Sequence, residues 1–346
     1  MGNLFFPIIL LALVIFISGC VGQLEKTARE TAAETYEENK TETEDSDILD
    51  NTSLEEANQT QKEQENTTTS AQKLLFWQKE SGIRVPGVSS SIIFLNNQYW
   101  MYYTGRGIEL ARSSDGLNFV VVGTMIDVKD VSGVDMVTNP AVFKTIDGKY
   151  RMLFEGSKMF YDKNDRKLYS AVSSDGLVWI VEEGVRFQDA GDGKPGELFA
   201  SVPDVIRLND GKLRMYYTRG ATSATALSGN EGLNWTKETN LKLRKVAIDL
   251  DIVLLDDGTY KLFFTTFEDE FGVGEQWITS ASSADGINFS ADEGKLIEPS
   301  TPGGLITDPD VIKTSNGYRI YYGEFEKGEH ELHEKEPNIM SAFSSG

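Results

Sequence analysis

The chain has 346 residues and a formal charge of −21, from 54 acidic residues against 33 basic ones. That balance excludes a uniform nucleic-acid surface, because such affinity comes from Lys and Arg neutralising phosphates. The single cysteine, Cys20, cannot form an intramolecular disulfide, so an exported core would hold together without one. Aromatic residues reach 10% alongside 32 glycines, which favours an all-β fold with many tight turns.

Leu4 to Ile17 form an apolar run of 14 residues followed at once by Ser18-Gly19-Cys20. The run is too short to span a hydrocarbon core of roughly 30 Å, and its position is that of a secretion signal. Ile17-Ser18-Gly19-Cys20 resembles the lipobox of bacterial and archaeal lipoproteins, which implies a signal peptide over 1–20 and a lipid on Cys20. No Lys or Arg precedes Leu4, and an uncleaved anchor is the alternative. Residues 21–73 read as a disordered acidic linker. From Leu24 to Gln72 there are 14 acidic residues against 4 basic ones, too little apolar surface to offset chain entropy. Sequons begin at Asn39, Asn51, Asn58 and Asn66, each a possible glycan site on an extracellular stalk.

Residues 74–346 repeat one pattern five times: an apolar strand, an Asp/Asn-Gly type turn, an aromatic strand, and a small-residue strand ending in Ser-Asp-Gly. Repetition at about 55 residues marks a propeller or solenoid. The central pairs of the aromatic strands, Tyr102/Tyr103, Leu153/Phe154, Tyr216/Tyr217, Phe263/Phe264 and Tyr321/Tyr322, follow turns at Asn96-Asn97, Asp147-Gly148, Asp210-Gly211, Asp257-Gly258 and Asn316-Gly317. Such turns match the twist of paired strands. Then come Ser114-Asp115-Gly116, Ser174-Asp175-Gly176, Asn230-Glu231-Gly232 and Ala284-Asp285-Gly286, each followed by Phe119, Trp179, Trp235 or Phe289. The fifth copy ends at Ser341–Gly346 without that outer strand. Phe76-Trp77-Gln78 resembles the missing piece, so it is expected to pair with Asn338–Phe343 and close the ring. The expected fold is an all-β, five-bladed β-propeller.

Blades that begin with Asp-Pro or Pro-Asp, continue with Tyr-Tyr and end with Ser-x-Asp-Gly-x-x-Trp resemble the glycoside hydrolases of families 43, 32, 68 and 130. The resemblance covers Leu74–Gly346 and implies carboxylates brought by successive inner strands into a central pocket. One carboxyl group protonates the leaving oxygen and another activates water or attacks. The inner strands read Val85-Pro86-Gly87, Asn139-Pro140-Ala141, Val202-Pro203-Asp204, Asp249-Leu250-Asp251 and Asp308-Pro309-Asp310. Period-two alternation would place the flanking residues of each triplet on one face. Asp204, Asp249, Asp251, Asp308 and Asp310 are therefore expected to share one axial cavity. Glu197 matches the family's general acid by position, and Asp249 and Asp308 complete the candidate catalytic set. Asn139 stands where the resemblance puts a second-blade carboxylate, with Asp135 and Glu155 nearby. Asn139, Asp135, Glu155, Asp204, Asp251 and Asp310 are the candidate substrate-binding residues.

Asp also caps backbone N–H groups at loops, which is the competing reading of each single acid. Crowded carboxylates repel, so the cluster implies raised pKa values or a bound cation. Calcium, a hard oxygen-seeking ion, is the candidate cofactor. His330 and His333 miss the zinc-protease spacing by one residue and read as a solvated loop. Phe267–Trp277 could stack on sugar rings. Two readings result: a surface-tethered monomeric glycoside hydrolase or phosphorylase acting on an extracellular glycan, and a catalytically inactive propeller lipoprotein that binds a glycan or a cell-surface partner. A structural cell-envelope role is the third. The missing acids in blades one and two keep the binder in play.

Overall fold

The structure, a computed structural model, describes residues 76–158, 166–189, 200–220, 222–268, 274–326 and 337–345. Residues 1–75, with Cys20 and the four sequons, lie outside the described residues, as do Glu197, His330, His333 and 269–273 of the Phe267–Trp277 segment. Among the described residues the regular elements are strands, apart from one short 3-10 turn at Val128–Asp130. It builds five four-stranded antiparallel sheets, the blades of a propeller. Blade 1 holds β2 (Val88–Leu95), β3 (Gln98–Thr104), β4 (Ile108–Ser113) and β5 (Val120–Ile126). Blade 2 holds β6 (Met136–Lys144), β7 (Tyr150–Ser157), β8 (Arg166–Ser173) and β9 (Ile180–Val181). Blade 3 holds β10 (Ser201–Arg207), β11 (Leu213–Arg219), β12 (Thr222–Ser228) and β13 (Thr236–Asn240). Blade 4 holds β14 (Ile248–Leu254), β15 (Tyr260–Phe267), β16 (Gln276–Ser283) and β17 (Ser290–Ala291). Blade 5 holds β18 (Leu305–Thr314), β19 (Gly317–Phe325), β20 (Asn338–Ser344) and, as its outermost strand, β1 (Gln78–Pro86).

The N-terminal strand closes the last blade as expected, but of Phe76-Trp77-Gln78 only Gln78 lies in the ladder, opposite Phe343, and the pairing runs on through Glu80 opposite Ser341 to Pro86 opposite Asn338. One part of the sequence reading is corrected. Val85 and Pro86 belong to this closing strand and not to the inner strand of blade 1, which is β2 and carries Ser89-Ser90-Ser91 at the triplet position. The proline at Pro86 imitated the Asn-Pro and Asp-Pro inner strands; Gly87, at φ +143, only turns the chain from blade 5 into blade 1.

The doubled aromatics have one geometric cause. Successive strand residues point to opposite faces, so a middle strand packed between two neighbours needs a large apolar group on each side. Tyr216 packs with Leu250 and Phe264 of blade 4, whereas Tyr217 packs with Leu153 and Phe187 of blade 2. The same alternation holds for Tyr102/Tyr103 and Tyr321/Tyr322, and the five hydrophobic clusters are the five blade interfaces. The ring after each Ser-x-Asp-Gly turn packs against the preceding blade and not the next one. Trp179 meets Tyr102 edge-on at 5.6 Å and Phe119 meets Tyr321 at 5.8 Å; Trp77, which follows no such turn, takes the same place in blade 5 and meets Phe263 of blade 4 at 5.7 Å.

The Ser-x-Asp-Gly turns are locally self-satisfied, as shown where the Ser113 hydroxyl accepts the Gly116 N–H at 2.9 Å and Asp115 accepts the N–H groups of Leu117 and Asn118. The turn glycine also lets the blades touch. Gly116 has φ +75, and a Cβ there would meet Arg319 Nη1 at 2.2 Å. The adjoining carbonyls of Asp115 and Gly116 accept hydrogen bonds from Arg319 and Tyr321 of blade 5, both at 2.9 Å. Within the blades, a basic residue on the second strand pairs with an acid on the outermost one or just past its end: Arg151 with Glu182, Arg214 with Glu238, Lys261 with Asp292 and Arg319 with Glu80. Blade 1 lacks both members of the pair. Trp100 and Val122 occupy those places, and Arg112 lies 5.1 Å over the Trp100 ring.

Candidate functional site

Each inner strand enters the ring through the same irregularity. Ser89, Asn139, Val202, Asp249 and Asp308 all have positive φ, between 45° and 53°, and the pairing with the second strand slips at each of them. A non-glycine residue held in this region is strained and persists only where its surroundings fix it. The backbone N–H of Asn139 donates to Thr104 of the preceding blade at 2.9 Å, and that of Asp249 donates to Thr218 at 2.8 Å. The bulge breaks the two-residue alternation, so the first and third residues of a triplet do not share a role. The five axial aspartates fall into two groups.

The first group contains Asp249 and Asp308, on neighbouring blades. The Thr307 hydroxyl lies 2.6 Å from Asp249 Oδ2 and 3.1 Å from Asp308 Oδ2. One hydroxyl proton serves only one of them. The hydroxyl makes the shorter contact with Asp249. Burial pushes Asp249 up to about 6, opposed by the Thr307 hydroxyl and the charge of Arg166. Burial also lifts Asp308 well above the ordinary carboxylate range, and the negative charges of Asp249 and Glu155 add to it.

Glu155, fully buried at the end of β7, comes from the second strand of its blade. Its Oε1 accepts from Arg166 at 3.0 Å, while Oε2 accepts from the Asn139 amide at 3.0 Å and from the Ser201 hydroxyl. Because a carboxylate only accepts, the Asn139 Nδ2 must face Glu155. Thus Asn139 and Glu155 share one hydrogen-bonded group with Arg166 and Ser201, and Asp249 and Asp308 another with Thr307; Arg166, Ser201 and Thr307 are members that sequence reasoning missed. A signal was present: Ser or Thr stands immediately before the triplet in blades 2, 3 and 5, at Thr138, Ser201 and Thr307.

The second group is Asp204, Asp251 and Asp310, each the third residue of its triplet. Asp204 accepts the Ile252 N–H of blade 4 at 2.9 Å and its own Val205 N–H at 2.7 Å. Asp251 accepts from the Val311 N–H of blade 5, and Asp310 from the Ile92 N–H of blade 1. Ser91 does the same for Val142 at 2.9 Å. The third position is therefore a clasp between successive inner strands, and Ala141 in blade 2 is the one member without a side chain to make it. Oδ2 of Asp251 and Oδ2 of Asp310 are buried with no hydrogen-bond partner. Burial first, then mutual repulsion, lifts Asp251 well above its usual range and Asp310 up to about 8; burial pushes Asp204 up to about 6. These three cap backbone groups, the bland alternative raised by the sequence.

Asp135 is exposed ahead of β6, its backbone N–H donating to the Ser157 carbonyl at 2.8 Å. Among the described residues no three His, Cys, Asp or Glu side chains are arranged to hold a metal ion, so calcium enters no step below. In the part of Phe267–Trp277 that is described, Trp277 lies under Lys295, with Nζ 4.6 Å from its ring centre.

No protein-family profile matches the sequence, and no curated protein is significantly similar to it. Solved structures do match in shape. An endo-1,4-β-xylanase from Bacteroides thetaiotaomicron superposes with a TM-score of 0.59 at 14% identity, over 75% of this chain and 91% of its own. An α-L-arabinanase from Cellvibrio cellulosa, solved with arabinohexaose, gives 0.59 at 12% identity over 74% and 91%. A family 43 subfamily 1 enzyme from Xanthomonas citri, solved with xylose, gives 0.58 at 11% over 79% and 92%. At these identities the likeness is one of fold: this chain is a five-bladed β-propeller of the kind on which family 43 glycoside hydrolases are built.

Proposed function

We propose that the protein is a surface-tethered, glycosidase-like propeller in which Asp308 is the acid and Asp249 the anionic partner. The observation that carries this reading is the Thr307 hydroxyl held between the two carboxylates. Two carboxyl groups with their protonation states pushed apart are what glycoside cleavage requires. Asp308 would give its proton to the leaving oxygen, and Asp249 would attack or stabilise the sugar cation. The two Oδ2 atoms are at most two hydrogen-bond lengths apart, short of the roughly 6.5–9.5 Å that accommodates a water in inverting enzymes. That spacing favours retention. Replacing Asp249 or Asp308 by Asn should lower turnover of aryl xylosides, aryl arabinosides, xylotriose or arabinohexaose by about a hundredfold or more while sugar binding persists.

The binder is the second reading, favoured by Ser89, Asn139 and Val202, which leave three of the five strained axial positions without an acid. Wild-type protein that binds one of these sugars and cleaves none would establish it in place of the enzyme. Tethering rests on Ile17-Ser18-Gly19-Cys20 and on where the chain joins the ring. β1 starts beside the β18–β19 turn, at the end of the propeller opposite Asp249 and Asp308, so an N-terminal anchor would leave the acid end facing away from the membrane. Cys20→Ser should shift the protein out of the membrane fraction or leave it unprocessed. Unchanged membrane association with Met1 retained would support an uncleaved anchor instead.

A further inference from the structure

The Asn-x-Ser/Thr pattern is not confined to the N-terminal segment. Two more copies fall inside the ring, Asn234-Trp235-Thr236 in blade 3 and Asn288-Phe289-Ser290 in blade 4. Both asparagines are exposed and stand at the same place in their repeats, between the turn after the third strand and the outermost strand. An asparagine at this place has a structural use that needs no sugar. Asn118 and Asn288 each donate Nδ2 to the acid of their own turn, Asp115 and Asp285. Blade 3 differs, because its turn is one residue longer and carries Asn230 where the others carry aspartate. Asn230 Oδ1 accepts the backbone N–H of Asn234 at 3.0 Å, and the Asn234 side chain makes no hydrogen bond among the described residues. Trp235 is buried between blades 2 and 3, its Nε1 donating to the Gly232 carbonyl at 2.9 Å. It pins the segment to the ring while Asn234 and Thr236, on either side of it, face solvent.

We propose that Asn234 is an N-glycosylation site of the propeller, with its amide free for the sugar where the Asn288 amide is already held by Asp285. The inference rests on the export proposed above. The co-reactant is a lipid-linked sugar phosphate. The bond from sugar C1 to the phosphate oxygen breaks, its electron pair leaving with the lipid phosphate; the bond from Asn234 Nδ2 to C1 forms, one amide proton passes to solvent, and nothing is oxidised or reduced. The Asn234 turn lies at the end of the ring where β10 finishes and β11 begins, opposite Asp249 and Asp308. A bulky, solubilising substituent there leaves the acid end open.

The test uses full-length protein made in a host that exports it and carries an oligosaccharide transferase, digested with trypsin and read by glycopeptide mass spectrometry. The peptide of residues 220–237 should carry a glycan mass that Asn234→Gln and Thr236→Ala both lose, and the peptide of residues 262–295, with Asn288, should carry none. Thr236→Ala keeps the amide and removes the hydroxyl of the acceptor pattern, so its loss separates enzymatic transfer from sugar adducts formed without an enzyme. A bare Asn234 overturns the site. Glycans on Asn39, Asn51, Asn58 or Asn66 in the same sample would then show that export held and only this site failed, whereas a chain bare at every sequon and recovered from the cytosol would show that the export reading failed with it. Equal glycan on Asn288 would overturn the part given to the free amide. In a host without the transferase, Asn234→Gln should melt with wild type, because its side chain holds nothing in place, and Asn288→Gln should melt lower. Equal losses in the two variants would give Asn234 the structural use of its counterparts and overturn the contrast.

Discussion

Deleting residues 76–86 is expected to abolish the cooperative thermal unfolding transition of the propeller. Those residues hold the whole of β1, the strand that completes the four-stranded sheet of blade 5. Their loss exposes the β20 edge, removes Val85 and Trp77 from two interfaces and leaves Arg319 without Glu80. An open sheet edge also invites pairing with other chains. A milder version isolates one term. Glu80→Ala leaves a buried guanidinium uncompensated, a loss of about 3–5 kcal/mol, which for a domain of this size lowers Tm by roughly 10 °C. Adding Arg319→Met should recover part of that loss, because it removes the stranded charge. An unchanged, single, cooperative transition in the deletion variant would show that the ring does not depend on its N-terminal strand.

The second large effect lies in the dependence of stability on pH. Asp310, raised to about 8, and Asp251 and Asp204, also raised, bind protons more tightly in the folded ring than in the unfolded chain. Stability from such groups is complete below the unfolded carboxylate pKa and drains away as pH rises through the folded values, by about 1.4 kcal/mol per pH unit for each proton concerned. The turn aspartates act in the opposite sense. Hydrogen bonds from turn backbone hold Asp115, Asp175 and Asp285 below their usual range, so their contribution is lost as the solution becomes strongly acidic. Tm should therefore peak between about pH 4 and 6 and fall steadily toward pH 9. Asp251→Asn with Asp310→Asn keeps an oxygen for the Val311 and Ile92 N–H groups and replaces two unpartnered oxygens by donors. The double variant should show a flatter profile and melt at least about 5 °C above wild type at pH 9. A uniform loss at every pH would mean that the clasp works through charge-assisted hydrogen bonds and carries no proton.

The sequence by itself determined the ring. Four aromatic pairs with Leu153/Phe154, five hairpin turns, and three Ser-x-Asp-Gly turns with Asn230-Glu231-Gly232 specify strand number, direction and spacing locally, because each feature acts within a few residues: glycine supplies a positive φ, serine and aspartate satisfy turn N–H groups, and alternation sends one large side chain to each neighbouring blade. Even the closing strand was legible, since Phe76-Trp77-Gln78 matched the outer strands that blades 2 and 4 carry. What the sequence could not decide was which acids meet. Period-two counting put Asp249 with Asp251 and Asp308 with Asp310, but a left-handed residue and bulge at each triplet rotate the two members away from one another. Only the placement of five strands about one axis gave Asp251 and Asp310 to the inter-blade clasp, Asp249 and Asp308 to Thr307, and Glu155, from a different strand position, to Arg166. Asp249 and Thr307 are 58 residues apart in sequence, a separation at which no local pattern acts and only the closed ring sets the distance.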